Sequence, residues 1–134
     1  MPTPSDRQWL ADVRSGHPRG PFGHREHLRL AWLLLDDTGF TTQAEEELSR
    51  IVEGIAVAHG KPQRYNRTLT GAWVKIVAHC RNVGGGASFE ELLRRHPWLL
   101  DKRIITRHYT SRRLASAQAR KTWVAPDLRP LPSA

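Results

Sequence analysis

Glycine and proline residues divide this chain of 134 residues into short segments, and this punctuation constrains the fold more than any other feature. Between the breaks, apolar residues recur with the three- and four-residue spacing of amphipathic helices, as at Leu48, Ile51, Val52 and Ile55. No segment shows the alternation that is typical of a half-buried strand. The pattern predicts an all-α fold, a compact bundle of five to seven short helices.

Cap signals give the expected bounds of these helices. We expect caps at Ser5, at Thr42 (in a capping box with Glu45), at Thr68 or Thr70, at Ser88, at Asp101 and at Ser111. The expected helices span residues 5–16, 24–37, 42–59, 68 or 70–82, 88–96, 102–108 and 112–122. Residues 124–134 contain three prolines and are predicted to form an extended tail behind a helical core of residues 22–123.

Length and composition predict one domain that occupies residues 1–134. The single cysteine, Cys80, excludes a disulfide framework. The longest apolar run, residues 31–35, is too short to cross a bilayer, and the first residues lack the pattern of a signal peptide. We therefore expect a cytoplasmic protein with no membrane partner.

The chain carries a formal net charge of +8, from 21 basic and 13 acidic residues. Nine basic residues and one acid lie between Arg94 and Lys121. Such a segment can bind nucleic acid or another anionic ligand, or it can be the solvated face of a helix.

Two histidines near the start of the second expected helix are the first candidate site residues. His24 and His27 are three residues apart, so they share the helix face that continues through Leu28, Ala31 and Leu34. Imidazoles on a core-facing stripe require hydrogen-bond partners, and a helix N-terminus disfavours their protonation. Both conditions favour the neutral form, which ligates a metal or accepts a proton. The alternative is a structural pair bonded to backbone carbonyls of the preceding loop.

A metal site is one hypothesis for this pair. Two histidines supply at most two ligands, whereas a catalytic zinc site normally has three protein ligands. His59 and His79 are the candidates for the third ligand of one divalent ion. Cys80 lies on the apolar stripe of the fourth helix, and we expect it to be a small core residue rather than a nucleophile.

The segment from Tyr65 to Trp73 is the second polar element. A loop rich in hydrogen-bonding side chains leads into a helix whose first N–H groups can bind a carboxylate, phosphate or carbonyl oxygen. We expect Tyr65, Asn66, Thr68 and Thr70 to bind substrate and Trp73 to form an apolar wall of the pocket. The alternatives are helix capping by the two threonines and a core position for Trp73.

Tyr109 precedes the last expected helix and is the third element. Its hydroxyl is a candidate catalytic donor in the same pocket, and the alternative is packing at a corner between helices. The sequence contains no nucleotide-binding glycine fingerprint, P-loop or nucleophile elbow.

Together these segments resemble a family of small uncharacterised bacterial proteins. The resemblance covers residues 22–131 and rests on F-x-H-x-x-H-L at 22–28, Y-N-x-T-x-T-x-x-W at 65–73, Tyr109-Thr110, and P-D-L-x-P-L at 126–131. It implies a shared fold and one site that brings together His24, His27, Asn66, Thr68 and Tyr109, but no particular reaction. The family pattern has an acid where this chain has Arg67, so any role of that acid would be lost here.

These observations favour a small-molecule enzyme that uses the histidine pair as general base or metal ligands. Proton transfer, elimination or isomerisation is the expected chemistry, as in a tailoring enzyme of secondary metabolism. A non-enzymatic protein-interaction module is one alternative. A basic helical domain that binds nucleic acid or another anionic ligand through residues 94–120 is the other.

Overall fold

The computed structural model describes residues 2–132, which form seven α-helices, three 3₁₀ segments and no strand. The α-helices are α1 (Pro4–Arg14), α2 (His24–Thr38), α3 (Thr41–Ala58), α4 (Arg67–Asn82), α5 (Phe89–Arg95), α6 (Ser111–Ala115) and α7 (Ala117–Lys121). The 3₁₀ segments are Pro62–Arg64, Pro97–Leu100 and Lys102–Arg107. The predicted all-α class is confirmed. Within residues 2–132, no helix is both long enough and apolar enough to span a bilayer.

The hydrophobic core is built around α2. Every residue from Leu30 to Leu35 is buried, because α2 packs against α1, α3, α4 and the segment Pro97–Leu100. A stretch of helix that is apolar on all sides is stable only when other elements surround it. Since α3 also packs against α4, the three longest helices form one unit, and the first turns of α2 and α4 carry the predicted site segments.

Two helices near the N-terminus begin earlier than predicted. Thr3, not Ser5, caps α1: its hydroxyl accepts a hydrogen bond from the Asp6 amide at 3.0 Å. Helix α3 begins directly after Phe40 without a side-chain cap, so the predicted capping box of Thr42 and Glu45 does not form.

The later caps follow the prediction more closely. Ser88 and Asp101 cap α5 and the segment Lys102–Arg107, as expected. Thr110, not Ser111, caps the helix that follows it. The single helix expected over residues 112–122 is instead divided into α6 and α7, because Ser116 has an extended backbone and its side chain caps α7.

The segment after α7 lies against the body of the protein. Asp127 accepts hydrogen bonds from the amide and hydroxyl of Thr110, and the Leu128 amide donates to the carbonyl of His108. The chain bends at residues 127–129. An extended tail over residues 124–134 is therefore not confirmed, and its last two residues lie outside the described residues.

Candidate functional site

A cavity of about 380 Å³, which we call the inner cavity, opens beside the first turns of α2 and α4. Its walls are mostly apolar, and no aspartate or glutamate of the described residues lines it. The lining side chains are His24, His27, Leu48, Val52, Arg64, Asn66, Leu69, Thr70, Trp73, Lys102, Ile105 and Leu114. A small cavity with apolar walls and a few convergent polar groups is the usual form of a ligand site.

The inner cavity brings together five of the eight residues predicted to catalyse or bind substrate: His24, His27, Asn66, Thr70 and Trp73. A cavity of about 430 Å³ between α4, the segment after α5 and the C-terminal residues holds none of the eight. The inner cavity is therefore the candidate site.

His27 is held in one tautomer by the start of its own helix. Its Nδ1 atom lies 2.7 Å from the carbonyl oxygen of Gly23, which can only accept, so Nδ1 carries the proton and Nε2 has a free lone pair. Burial lowers the pKa of His27 below the usual value of 6.5. The Gly23 hydrogen bond and the charge of Glu26 oppose this effect, and the neighbouring His24 adds to it. His27 is thus an oriented neutral base.

His24 is held in the opposite tautomer. Its Nε2–H donates to the carbonyl oxygen of Leu99 at 2.8 Å, and its ring meets the Trp73 ring edge-on at 4.6 Å between centroids. Burial lowers the pKa of His24, and the positive charge of Lys102 lowers it further against the opposing Leu99 hydrogen bond. Both histidines are therefore neutral and bonded to backbone carbonyls. His27 bonds to the preceding loop, as in the structural alternative, whereas the partner of His24 is Leu99, outside that loop.

Asn66 has a structural task that the sequence analysis assigned to the threonines. Its Oδ1 caps α4 by accepting from the Leu69 amide at 2.9 Å, and its Nδ2 donates to the Leu114 carbonyl at 2.7 Å. Asn66 thereby ties α4 to α6 and shapes the cavity rather than offering a free amide to a ligand. Thr70 is not the cap of α4, and its hydroxyl has no hydrogen-bond partner among residues 2–132.

Tyr109 and Thr68 were predicted in the site, but neither residue lines the inner cavity. Tyr109 is fully buried, and its hydroxyl donates to the carbonyl of Val124 at 2.7 Å. Burial raises the pKa of Tyr109 to about 12. Thr68 is also fully buried: its hydroxyl donates to the Thr122 carbonyl and accepts from the Val124 amide. The backbone of the segment after α7 belongs to no helix or sheet, so its polar groups need other partners. The side chains of Tyr109 and Thr68 provide these partners and fix the segment to the core.

A second cavity of about 270 Å³, the outer cavity, adjoins the first and shares His27, Val52 and Arg64 with it. Tyr65 and His59 line this outer cavity and not the inner one. Of the predicted site residues, His27 alone among those described borders both cavities.

The described residues do not assemble the predicted three-ligand metal site. No group of three or more His, Cys, Asp or Glu side chains within residues 2–132 is placed to hold a metal ion. His79 lies on α4 and does not line the inner cavity, and His59 is exposed at the end of α3. Cys80 is fully buried, and burial raises its pKa to about 11. Its predicted role as a core residue is confirmed.

Arg67 is part of a charge cluster with Glu45 and Lys75. Its guanidinium lies 3.1 Å from a carboxylate oxygen of Glu45, and Lys75 binds the second oxygen. Gly71 makes room for this cluster, because a Cβ there would lie 2.5 Å from Glu45 Oε1 and 2.6 Å from Arg67 Nη1. Arg67 thus neutralises a buried carboxylate and does not line the inner cavity.

Two cationic residues of the inner cavity, Arg64 and Lys102, were not among the predicted site residues. Arg64 immediately precedes Tyr65 and Asn66, so proximity in sequence was a usable signal. Lys102 had no such signal, because the fold brings the segment Lys102–Arg107 to the cavity from far along the chain.

No model of a protein family matches this chain, and no curated protein or solved structure does so either. The resemblance to the bacterial family described above therefore stays a prediction.

Proposed function

We propose that this protein is an acid–base enzyme that acts on a small, largely apolar molecule in the inner cavity, with His27 as the general base. One observation supports the proposal most directly: the His27 ring is neutral, is oriented by its hydrogen bond to Gly23, and lines a cavity with apolar walls. A base of this kind accepts a proton near neutral pH, where an imidazole is an efficient general base.

The surroundings of His27 support a proton-transfer role. The Gly23 carbonyl faces the Nδ1–H, so the positive charge that develops when Nε2 takes a proton is partly balanced. Thr70 and Lys102 offer a hydroxyl and an ammonium group to an oxygen atom of the substrate. Abstraction of a proton beside a carbonyl, followed by reprotonation or elimination, fits this set of groups.

His24 is the less suitable base in this arrangement. Its Nε2–H is bonded to Leu99, and its ring packs against Trp73, so it forms part of the cavity wall. We assign His24 a positioning role for Trp73 and for the segment that follows α5.

A deuterium-exchange assay tests the proposal with two simple carbon acids in place of the natural substrate. The protein is incubated in D₂O with 2-octanone and with an octanoyl thioester, and deuterium at the carbon beside the carbonyl is measured by mass spectrometry. We expect exchange by the wild type, reduced by about 100-fold or more in His27→Asn. Asparagine keeps an N–H donor close to the Nδ1 position and removes Nε2, so the helix cap is preserved.

The control for folding is the circular dichroism spectrum and thermal midpoint of the same variant. Equal exchange by wild type and a folded His27→Asn variant would contradict the proposal. Absence of exchange by the wild type with both carbon acids would contradict it as well.

The remaining expectations stay predictions: a role in secondary metabolism, a cytoplasmic location, a divalent metal ion, and the two non-enzymatic alternatives. The division of the last helix into α6 and α7 bears on the nucleic-acid alternative. Each part has only five residues, whereas a recognition helix requires a longer continuous surface to enter the major groove.

A further inference from the structure

We infer that the ligand of the inner cavity is an amphipathic anion, whose apolar part fills the inner cavity and whose charged group lies in the outer cavity. This inference rests on the proposed function and names the substrate class for the same site. The outer cavity supports this inference, because its lining differs chemically from that of the inner cavity and because the two cavities share His27.

The outer cavity is rich in groups that bind anions. Lys61, Arg64, His59 and the phenol of Tyr65 line it, and no acidic residue of the described chain does so. Lys61 and Arg64 are exposed, and within residues 2–132 neither forms an ion pair. Two cations without an ion-pair partner, beside a hydroxyl in the same cavity, favour a carboxylate or a phosphate group.

Basic residues after a helix often neutralise its terminal carbonyls, but here backbone amides already donate to three of the last four carbonyls of α3. The amides of His59, Gly60 and Lys61 donate to the carbonyls of Ile55, Val57 and Ala56 respectively. Gly60 has the positive φ of +70° that this closure requires. The side chains of Lys61 and Arg64 are therefore not needed to end α3.

The apolar part of the ligand belongs in the inner cavity. Leu48, Leu69, Ile105 and Leu114 line the inner cavity and not the outer one. A ligand that occupies both cavities must pass the residues that the two cavities share, which are His27, Val52 and Arg64. The expected substrate is thus an acid or a phosphate ester with a short hydrocarbon or aromatic group.

Isothermal titration calorimetry with three probes of one chain length tests this inference: octanoate, octyl phosphate and 1-octanol. At low ionic strength, we expect at least one anion to bind about tenfold or more tightly than the alcohol, with the difference decreasing as salt is added. The double variant Lys61→Gln/Arg64→Gln should lose this preference and keep its affinity for the alcohol. Preference for octyl phosphate assigns the outer cavity to phosphate, and preference for octanoate assigns it to carboxylate.

Arg50→Gln is the control, because Arg50 is an exposed cation of α3 that lines neither cavity. It should leave the preference for the anion unchanged. The inference is overturned if the alcohol binds as tightly as both anions. It is also overturned if the double variant keeps the preference, if Arg50→Gln removes it to the same extent, or if none of the three probes binds.

Failure of the proposed function gives a different result. His27→Asn removes the base but leaves Lys61 and Arg64 in place, so octanoate binding should persist in this variant. If anion preference is found but no deuterium exchange occurs, the ligand class stands and the catalytic role of His27 fails. If exchange depends on His27 but anions have no advantage, the catalytic role stands and this inference fails.

Discussion

The carbonyl oxygen of Gly23 accepts hydrogen bonds from both the backbone amide of His27, at 3.0 Å, and its ring Nδ1, at 2.7 Å. The first turn of α2 thus fixes the backbone and the tautomer of His27 through one acceptor. Glu26 completes this turn, because its carboxylate accepts from the Gly23 amide at 2.8 Å. The orientation of the proposed base is therefore a property of the helix start.

This geometry distinguishes the two histidines in the deuterium-exchange assay. His24→Gln keeps an N–H donor near the carbonyl of Leu99, since glutamine approximates the Nε2 position, and it should retain most of the wild-type exchange rate. His24→Ala should bind octanoate more weakly, because the contact with Trp73 is lost. Loss of exchange in a folded His24→Gln variant that still binds octanoate would assign the base to His24 instead.

Tyr109→Phe separates a structural tyrosine from a catalytic one. Removal of the hydroxyl leaves the buried carbonyl of Val124 without this donor, so we expect unfolding to become easier by about 1–3 kcal/mol. Urea denaturation measures this change, with the partly exposed Tyr65→Phe as the control. The exchange rate should not change, because Tyr109 does not line the inner cavity. A large loss of exchange at unchanged stability would return Tyr109 to a catalytic role.

The role of Tyr109 shows which part of the site the sequence could not predict. Polar residues that share the buried face of a helix start are visible from spacing, which is how His24 and His27 were paired. That separate segments meet in one site was only implied by the resemblance. The partner of a buried hydroxyl is not visible when it is a backbone carbonyl of an irregular segment. Val124 reaches Tyr109 and Thr68 because of the path taken by residues 122–132, for which no periodic signal exists.

The predicted starts of several helices were wrong for a related reason. Where several residues that can cap a helix lie close together, spacing does not decide among them. Thr3, Asn66 and Thr110 each cap a helix whose cap was predicted at a later residue. The helix class and the order of the long helices followed from apolar spacing, because burial of α2, α3 and α4 requires that spacing.

The contacts of Arg67 predict the effect of an acid at position 67. Arg67→Glu would place a second carboxylate beside Glu45, whose side chain is only 8% exposed, and leave Lys75 as its one cationic partner. We expect the urea midpoint to decrease clearly, because an incompletely paired buried charge is costly. Arg50→Glu, at an exposed position of α3, is the control.

The double variant Glu45→Gln/Arg67→Glu should recover part of the lost stability, since it removes the repulsion between two carboxylates. Equal midpoints for Arg67→Glu and the wild type would show that the Glu45 cluster contributes no stability.

The histidine pair also predicts how stability depends on pH. Burial lowers the pKa of both His24 and His27 in the folded protein, so below about pH 6.5 the unfolded chain takes up protons before the folded one does. The stability associated with the neutral histidines is therefore complete above pH 6.5 and decreases as the pH falls below it. Urea midpoints between pH 8 and pH 5 measure the decrease.

The double variant His24→Gln/His27→Asn should show a smaller decrease over the same range, because its side chains do not titrate. Parallel curves for the variant and the wild type would indicate that the two imidazoles have ordinary pKa values in the folded state.

The most direct test of the central claim is a long-range ¹H–¹⁵N NMR titration of protein labelled with ¹⁵N-histidine, with His27→Asn used to assign the signals. The account predicts that His27 is protonated on Nδ1 at neutral pH, that it titrates with a midpoint below 6.5, and that its Nε2 resonance shifts when octanoate binds. A proton on Nε2, a midpoint above 6.5, or an Nε2 resonance that saturating octanoate leaves unchanged would contradict it.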